Sequence, residues 1–263
     1  MALLELQIEG VSQLNQVVVV AWLDSLNAAA SRILEAALSS HDSALFELGR
    51  AIPFLSDSNA IANANKNERA NAKVDIAVAN FATVNVSLVS IGSFKRNKNE
   101  HERVHVACAL VRLLLAQNVR RVILVAALDV KLPINYGSNT VLTASFPPQT
   151  HDNLPPTSPL NDAFLGALIP FLHLSQTQLQ STLICVAAKK ERTAENGQIL
   201  QSVNPRSVDT FLPTLSGALT DSLAVSSLKF NASAASAIIL ESWKVSEHFN
   251  DVENKDTFSL MYL

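Results

Sequence analysis

The chain reads as a single α/β domain with a mainly parallel sheet, helices on both faces and a flexible C-terminal tail. Three observations carry that expectation. Val17-Val18-Val19-Val20-Ala21-Trp22 and Arg121-Val122-Ile123-Leu124-Val125-Ala126-Ala127-Leu128 are continuous, β-branched runs of strand length, the pattern of strands buried on both faces. Segments of helical periodicity alternate with such runs, the order that places a parallel sheet between two helical layers. The chain then ends on a polar stretch, Asn250-Asp251-Val252-Glu253-Asn254-Lys255-Asp256-Thr257, with little to bury.

Asp24 or Ser25 caps the helix after Trp22, which is expected to reach Ser39 with Ala29, Ile33, Ala36 and Ala37 inward. A short strand is expected near Ala44–Leu48, ahead of Pro53. Residues 58–73 hold Asn59, Asn63, Asn65, Asn67 and Asn71 and read as a flexible loop. Two strands follow, Val74–Phe81 and Val84–Phe94; the alternation in the second predicts one partly wet face. A helix over Asn99–Gln117 carries Val104, Ala107, Cys108, Val111 and Leu115 as its apolar stripe. Residues 146–160 contain Pro147, Pro148, Pro155, Pro156 and Pro159, half of the chain's 10 prolines, and predict a flexible, extended loop. The order closes with a helix (Leu160–Leu174), a strand (Ser181–Ala188) and a loop around Glu195-Asn196-Gly197. A helix (Ser207–Leu219) opened by Asn204-Pro205 and a last helix (Ala232–Val245) follow. Residues 1–249 form the expected folded unit and residues 250–263 the tail.

Hydrophobic residues make up 48% and charged residues 16%, a globular composition rather than a disordered one. The net charge of −3, with no basic run beyond Lys95-Arg96-Asn97-Lys98, argues against nucleic acid or anionic membrane as partners. The longest apolar runs, Val17–Leu23 and Val122–Leu128, are far shorter than the roughly 20 residues of a membrane-spanning helix. Glu5 and Glu9, with no basic region beside them, do not make a secretory signal. Cys108 and Cys185 lie in apolar contexts and read as buried thiols of a reducing compartment, the cytoplasm or the nucleus.

His101-Glu102-Arg103-Val104-His105 matches the pattern in which two imidazoles one helical turn apart hold zinc while the glutamate polarises its water. The third ligand is missing: the position six residues after His105 is Val111, and the next glutamate after Glu102 is Glu191. The two histidines are therefore expected on a helix surface, on the flank of Arg112. The seven glycines stand alone, so neither a dinucleotide nor a Walker phosphate loop is built. No catalytic residue, metal site or cofactor is nominated.

The candidate site is the chain end. Met261-Tyr262-Leu263 reads hydrophobic–tyrosine–any residue, closed by the α-carboxylate, on a polar tether. The carboxylate suits a lysine, the phenol a hydrogen-bond partner, and the apolar side chain a slot between two subunits. With this tail the chain resembles the proteasome assembly chaperone 1 family. The likeness extends through Arg121-Val122-Ile123-Leu124-Val125-Ala126-Ala127-Leu128-Asp129 and Asn161-Asp162-Ala163-Phe164-Leu165. It continues in Thr182-Leu183-Ile184-Cys185-Val186-Ala187 and Ser207-Val208-Asp209-Thr210-Phe211-Leu212-Pro213-Thr214-Leu215. The resemblance implies a non-enzymatic scaffold that pairs with a paralogous chaperone subunit and holds 20S proteasome α-subunits together. Met261, Tyr262 and Leu263 would then bind in a pocket between adjacent α-subunits. The asparagine-rich segment has no counterpart in that family, and first and second chaperone subunits share the fold. An α/β enzyme with an unassigned site and an adaptor of another complex are the alternative readings.

Overall fold

Four strands buried on both faces make the centre of the sheet. β2 (Val17–Trp22), β5 (Val86–Ile91), β6 (Arg121–Leu128) and β8 (Gln180–Ala187) run parallel in the order β5-β2-β6-β8. Val18, Val20, Leu124 and Leu183 face one core, and Val19, Ile123, Val125 and Ile184 face the other. Each such side chain contributes about 1.5–3 kcal/mol on burial, which is why these strands are written as unbroken apolar runs. The computed structural model describes residues 3–22, 29–56, 74–92, 100–128, 140–155, 162–187, 192–195, 198–201, 211–225 and 227–237.

Antiparallel strands flank that centre. β1 (Leu3–Glu9), β3 (Glu47–Ser56) and β4 (Ile76–Phe81) extend it beyond β5, and β7 (Val141–Phe146) pairs with β8, giving β1-β3-β4-β5-β2-β6-β8-β7. The β4–β5 turn is a 3-10 turn, Ala82–Val84, closed by Asn85 in the left-handed region at φ 56°, and a link that short permits only antiparallel pairing. A separate hairpin joins β9 (Arg192–Glu195) to β10 (Gln198–Gln201).

Helices α2 (Glu100–Ala116) and α3 (Ala163–Leu174) cover one face of the sheet. Helices α1 (Ala29–Ser39), α4 (Leu212–Leu223) and α5 (Ala232–Ala237) cover the other. This is the expected α/β class with helices on both faces.

Several local expectations are corrected. The strand expected near Ala44–Leu48 starts later, at Glu47, and is longer. Ahead of it is a 3-10 turn, Ser43–Leu45, capped by Asp42, and the strand runs through Pro53 to Ser56. Proline is tolerated there because pairing with β4 ends at Ala51, so its missing N–H costs no bond on that side. Strands β1 and β7 were not foreseen. β5 has no wet face, because Val86 and Leu88 lie in one core and Val89 and Ile91 in the other. On α2 the buried arc is Val106, Ala107, Leu110, Val111, Leu113 and Leu114, while Val104 is 40% exposed and Cys108 only half-buried. The helix packs against both α3 and β1, so its buried arc is wider than one stripe and rotated from the expected one. The described part of the fourth helix runs from Leu212, with Pro213 in its first turn, and ends beyond Leu219 at Leu223, where Ala224 takes φ 54°, while Ser207–Thr210 lie outside the described residues. The asparagine-rich segment lies outside the described residues, as does the extension of the last helix beyond Ala237.

The crossing of β1 and β3 depends on two glycines. Gly10 sits at φ +84°, and a Cβ there would stand 2.8 Å from the Leu48 carbonyl oxygen. A Cβ on Gly49 would stand 2.3 Å from the Glu9 carbonyl oxygen, so neither position accepts a side chain without backbone movement. The loop before β2 is tied down by polar bonds. The Asn15 backbone N–H donates to the Ser87 hydroxyl at 2.8 Å, the Asn15 amide donates to Asn80 Oδ1 and to the Val86 carbonyl, and the Ser87 hydroxyl donates to Asn80.

The two ends of the sheet are finished differently. At β7 the chain folds back over its own edge. The Asn153 and Leu154 backbone N–H groups donate to the Thr143 carbonyl, the Thr143 N–H donates to Asn153 Oδ1, and the Ser145 N–H and hydroxyl both donate to Asp152. Part of the proline-rich segment, through Pro155, is thus an edge cover, and residues 156–161 lie outside the described residues. Burial raises the Asp152 pKa, but bonds from the Gln149 N–H and from Ser145, with the nearby His151 charge, bring it below the ordinary aspartate range. A pKa depressed on folding contributes stability above the unfolded value and loses it as pH falls through the folded value. Acidification below about pH 4 is therefore expected to release the cover and expose β7 to edge pairing. Light scattering against pH should rise there, and Asp152→Ala should scatter already at neutral pH. Identical curves for the variant and the parent would refute the role of Asp152.

Candidate functional site

Met261, Tyr262 and Leu263, the expected partner-binding residues, lie outside the described residues, as does the whole of 238–263. The structure does describe the ground from which that segment departs. Helix α5 is anchored on α1 by Arg32, which is buried. Its Nε–H donates to the Ala235 carbonyl at 2.9 Å and its Nη2–H to the Ser236 carbonyl at 2.9 Å. A buried guanidinium that donates to two backbone carbonyls satisfies its own N–H groups and ties this segment to α1. The Asn231 side chain accepts from the Ala234 N–H at the other end. The Ser216 hydroxyl donates to the Phe230 carbonyl, and the His41 ring nitrogens lie 2.6 Å from the Ala37 carbonyl and 3.0 Å from the Ser227 carbonyl. Residues 227–237 are thus bonded to α1, to His41 just after it, and to α4.

A second feature was not foreseen. Helix α1 lies over β2, β5 and β6 and shares a core with Ala79 and Phe81 of β4, and α4 lies over β7 and β8, so the main helix contacts on that face fall short of β1 and β3. A groove of about 510 Å³ opens there between α1 and the sheet, with Leu34, Glu35 and Leu38 on one wall and Leu48, Ala77 and Leu88 among its floor residues. Leu48 is 62% exposed and Ile52 40% exposed on β3. Glu9, Glu35 and Arg50 supply charge around this apolar floor, and burial pushes the Glu35 carboxyl above its ordinary range. Such a surface suits apolar side chains of a protein partner, with charges arranged at the rim. The signal in the sequence was weak: Leu48 and Ile52 alternate with Gly49 and Ala51, and only the absence of a covering helix turns them outward.

The zinc-like pattern lies on α2, with His105 exposed and Arg112 exposed, and the side chains of His101 and Glu102 lie outside the described residues. Among the described residues no group of three His, Cys, Asp or Glu side chains comes together. Cys185 is buried, and desolvation pushes its thiol up to about 12, which removes thiolate reactivity near neutral pH. In open parallel sheets small molecules bind at the carboxyl ends of the strands. There the indole of Trp22, the last residue of β2, donates to Asp162 Oδ2 at 3.0 Å, and the Leu165 N–H donates to Asp162 Oδ1 at 2.7 Å. That carboxylate is committed to holding the start of α3 against β2. No described helix is long and apolar enough to cross a membrane.

No protein-family model matches the sequence, and no curated protein matches it. Its fold is similar to several solved structures at low identity. Pyrococcus furiosus PbaB, described as an archaeal proteasome activator, is 11% identical with a TM-score of 0.49, over 95% of this chain and 99% of that one. Pyrococcus furiosus PbaA, described as an archaeal homolog of proteasome-assembly chaperone, is 12% identical with a TM-score of 0.44, over 94% and 93%. A Mycobacterium tuberculosis proteasome-assembly chaperone homologue is 12% identical with a TM-score of 0.42, over 92% and 97%.

Proposed function

We propose that this chain is a non-catalytic subunit of a proteasome assembly chaperone. It pairs with a paralogous chaperone subunit, scaffolds 20S α-subunits while their ring forms, and docks its C-terminal tail between two of them. The observation that carries this reading is the sequence Met261-Tyr262-Leu263 behind the polar stretch 250–257. The folded body supports it with a surface suited to protein contact, Leu48 and Ile52 beside the groove. Multivalency supplies the thermodynamic logic: a tripeptide anchor binds weakly alone, and a body that also touches the ring raises its effective concentration. About a dozen extended residues reach roughly 40 Å, enough to enter a pocket from a body seated above it.

Affinity purification of the tagged full chain from cells, with identification of what co-purifies, tests the assignment. Recovery of 20S α-subunits in assembly intermediates, together with a related chaperone subunit in one-to-one ratio, is the expected result. Recovery of neither, from a chain that remains folded, would sink it. The second-subunit reading predicts the same partners and is separated by which member of the pair carries the stronger α-ring contact.

A further inference from the structure

The described residues end at Ala237, beside α1, where Arg32 holds the Ala235 and Ser236 carbonyls. The same helix supplies Leu34, Glu35 and Leu38 to the wall of the groove over β3 and β4. Glu35 stands one turn beyond Arg32, and Leu38 lies about 9 Å along the helix axis from it. On the groove floor Arg50 and Glu9 oppose each other across β3 and β1. Glu35 has no such counterpart. Its side chain is half-buried, and it makes no hydrogen bond or ion pair with a described residue. An acid held at the wall of an apolar groove is suited to a cation brought in by whatever fills that groove.

The sequence that follows Ala237 carries the matching groups. Half of residues 238–249 are apolar (Ile238, Ile239, Leu240, Trp243, Val245 and Phe249), in contrast to the polar stretch 250–257. Left in water, each of the larger ones forgoes about 1.5–3 kcal/mol of burial. Ile239, Leu240 and Trp243 stand at the spacing of anchors laid into a groove, and Lys244 follows Leu240 by one turn.

We propose that residues 238–249 turn back over α1 and dock in this groove of their own chain, with Ile239, Leu240 and Trp243 against Leu38 and Leu48 and the Lys244 ammonium on the Glu35 carboxylate. The reach suffices, since 12 residues span about 18 Å even as a helix. The root on α1 supplies an effective concentration in the millimolar range, so the contact needs little intrinsic affinity. Ile52 lies outside the groove and stays open to a partner. The docking does not depend on what the chain end binds.

Trp243 reports the contact, because the chain's other tryptophan, Trp22, is 1% exposed and out of reach of a collisional quencher. Acrylamide quenching of Trp243 in the full chain should be several-fold weaker than in a synthetic peptide of residues 238–263, and its emission should be shifted to the blue. Trp243→Phe assigns the signal. Leu48 is 62% exposed, so Leu48→Asp leaves the core untouched, and by placing a charge on the groove floor it should raise quenching to the level of the peptide. Glu35→Lys should do the same by repelling Lys244. The double variant Glu35→Lys/Lys244→Glu should restore protection, which a merely local effect of residue 35 does not give. Thermal melts control for folding of each variant, and deletion of Met261–Leu263 should leave the quenching unchanged. A Trp243 as accessible in the full chain as in the peptide overturns the inference. If Leu48→Asp then weakens capture of a paralogous subunit, the groove belongs to that partner. Protection that vanishes on dilution gives the groove to a second copy, and protection indifferent to residues 35 and 48 places Trp243 elsewhere; either result overturns it.

Discussion

Deletion of Met261–Leu263 should leave the thermal stability of the protein unchanged and cost most of its capture of 20S α-ring intermediates at limiting concentration. The three groups of the tip are expected to matter separately. Removing Leu263 alone keeps a carboxylate on the chain but moves it one residue out of register with the lysine proposed to receive it. Tyr262→Phe removes a hydroxyl, worth about 1 kcal/mol when bonded, whereas Tyr262→Ala also removes the ring and should approach the full deletion. Met261→Asp places a charge where an apolar slot is expected, at a cost of a few kcal/mol if that slot is dry. When one of two linked contacts fails, the gain in avidity over the remaining one is lost, and that gain is of the order of 10²-fold or more. Binding by the body alone should therefore persist weakly. Capture that is unaltered by the deletion, or a deletion variant that unfolds, would show that the tip is not the anchor.

What could be read in advance follows from where each residue's environment is decided. Val17–Trp22 and Arg121–Leu128 were recognisable because burial on both faces leaves nothing but apolar, mostly β-branched side chains, a local signature. β1 escaped notice because Leu-Leu-Glu-Leu-Gln-Ile-Glu alternates at an edge, where only one face is buried and the run is short. The strand expected to end at Leu48, ahead of Pro53, continues to Ser56, since proline argues against a strand until the neighbour that would need its N–H is known to have ended. On α2 the apolar residues lie nearly all round, so the periodicity did not say which of them face α3 and β1. The same limit holds for function. The tail motif is contiguous and visible in the sequence, whereas the groove beside Leu48 is set by where α1 sits relative to β3 and β4, a fact of tertiary arrangement that no stretch of residues announces.

Asp162 and Trp22 are 140 residues apart in sequence, and the bond between them should be among the most expensive polar contacts to break in the described fold. Asp162 is 9% exposed, and its two carboxylate oxygens do different jobs: Oδ1 caps the first turn of α3 through the Leu165 N–H, and Oδ2 satisfies the buried Trp22 indole. Asp162→Ala removes an N-cap, at about 1 kcal/mol, and leaves a buried donor without a partner, at about 1–3 kcal/mol more. A loss of about 2–4 kcal/mol in the free energy of unfolding is expected, read by chemical denaturation followed by circular dichroism. Asp162→Asn should cost less, because its one remaining carbonyl oxygen can still cap the helix while its amide opposes the indole N–H. Trp22→Phe removes the donor but leaves one carboxylate oxygen unpaired, and it also trims the ring that sits 5.7 Å from that of Phe164. If the bond holds in solution, Asp162→Ala and Trp22→Phe each orphan the other's group, and the double variant should be more stable than the sum of the two losses predicts. Additive losses would mean that the carboxylate and the indole do not meet. The cap alone would then hold the start of α3, and the carboxyl end of β2 would be freer to accept a ligand than its present bonds allow.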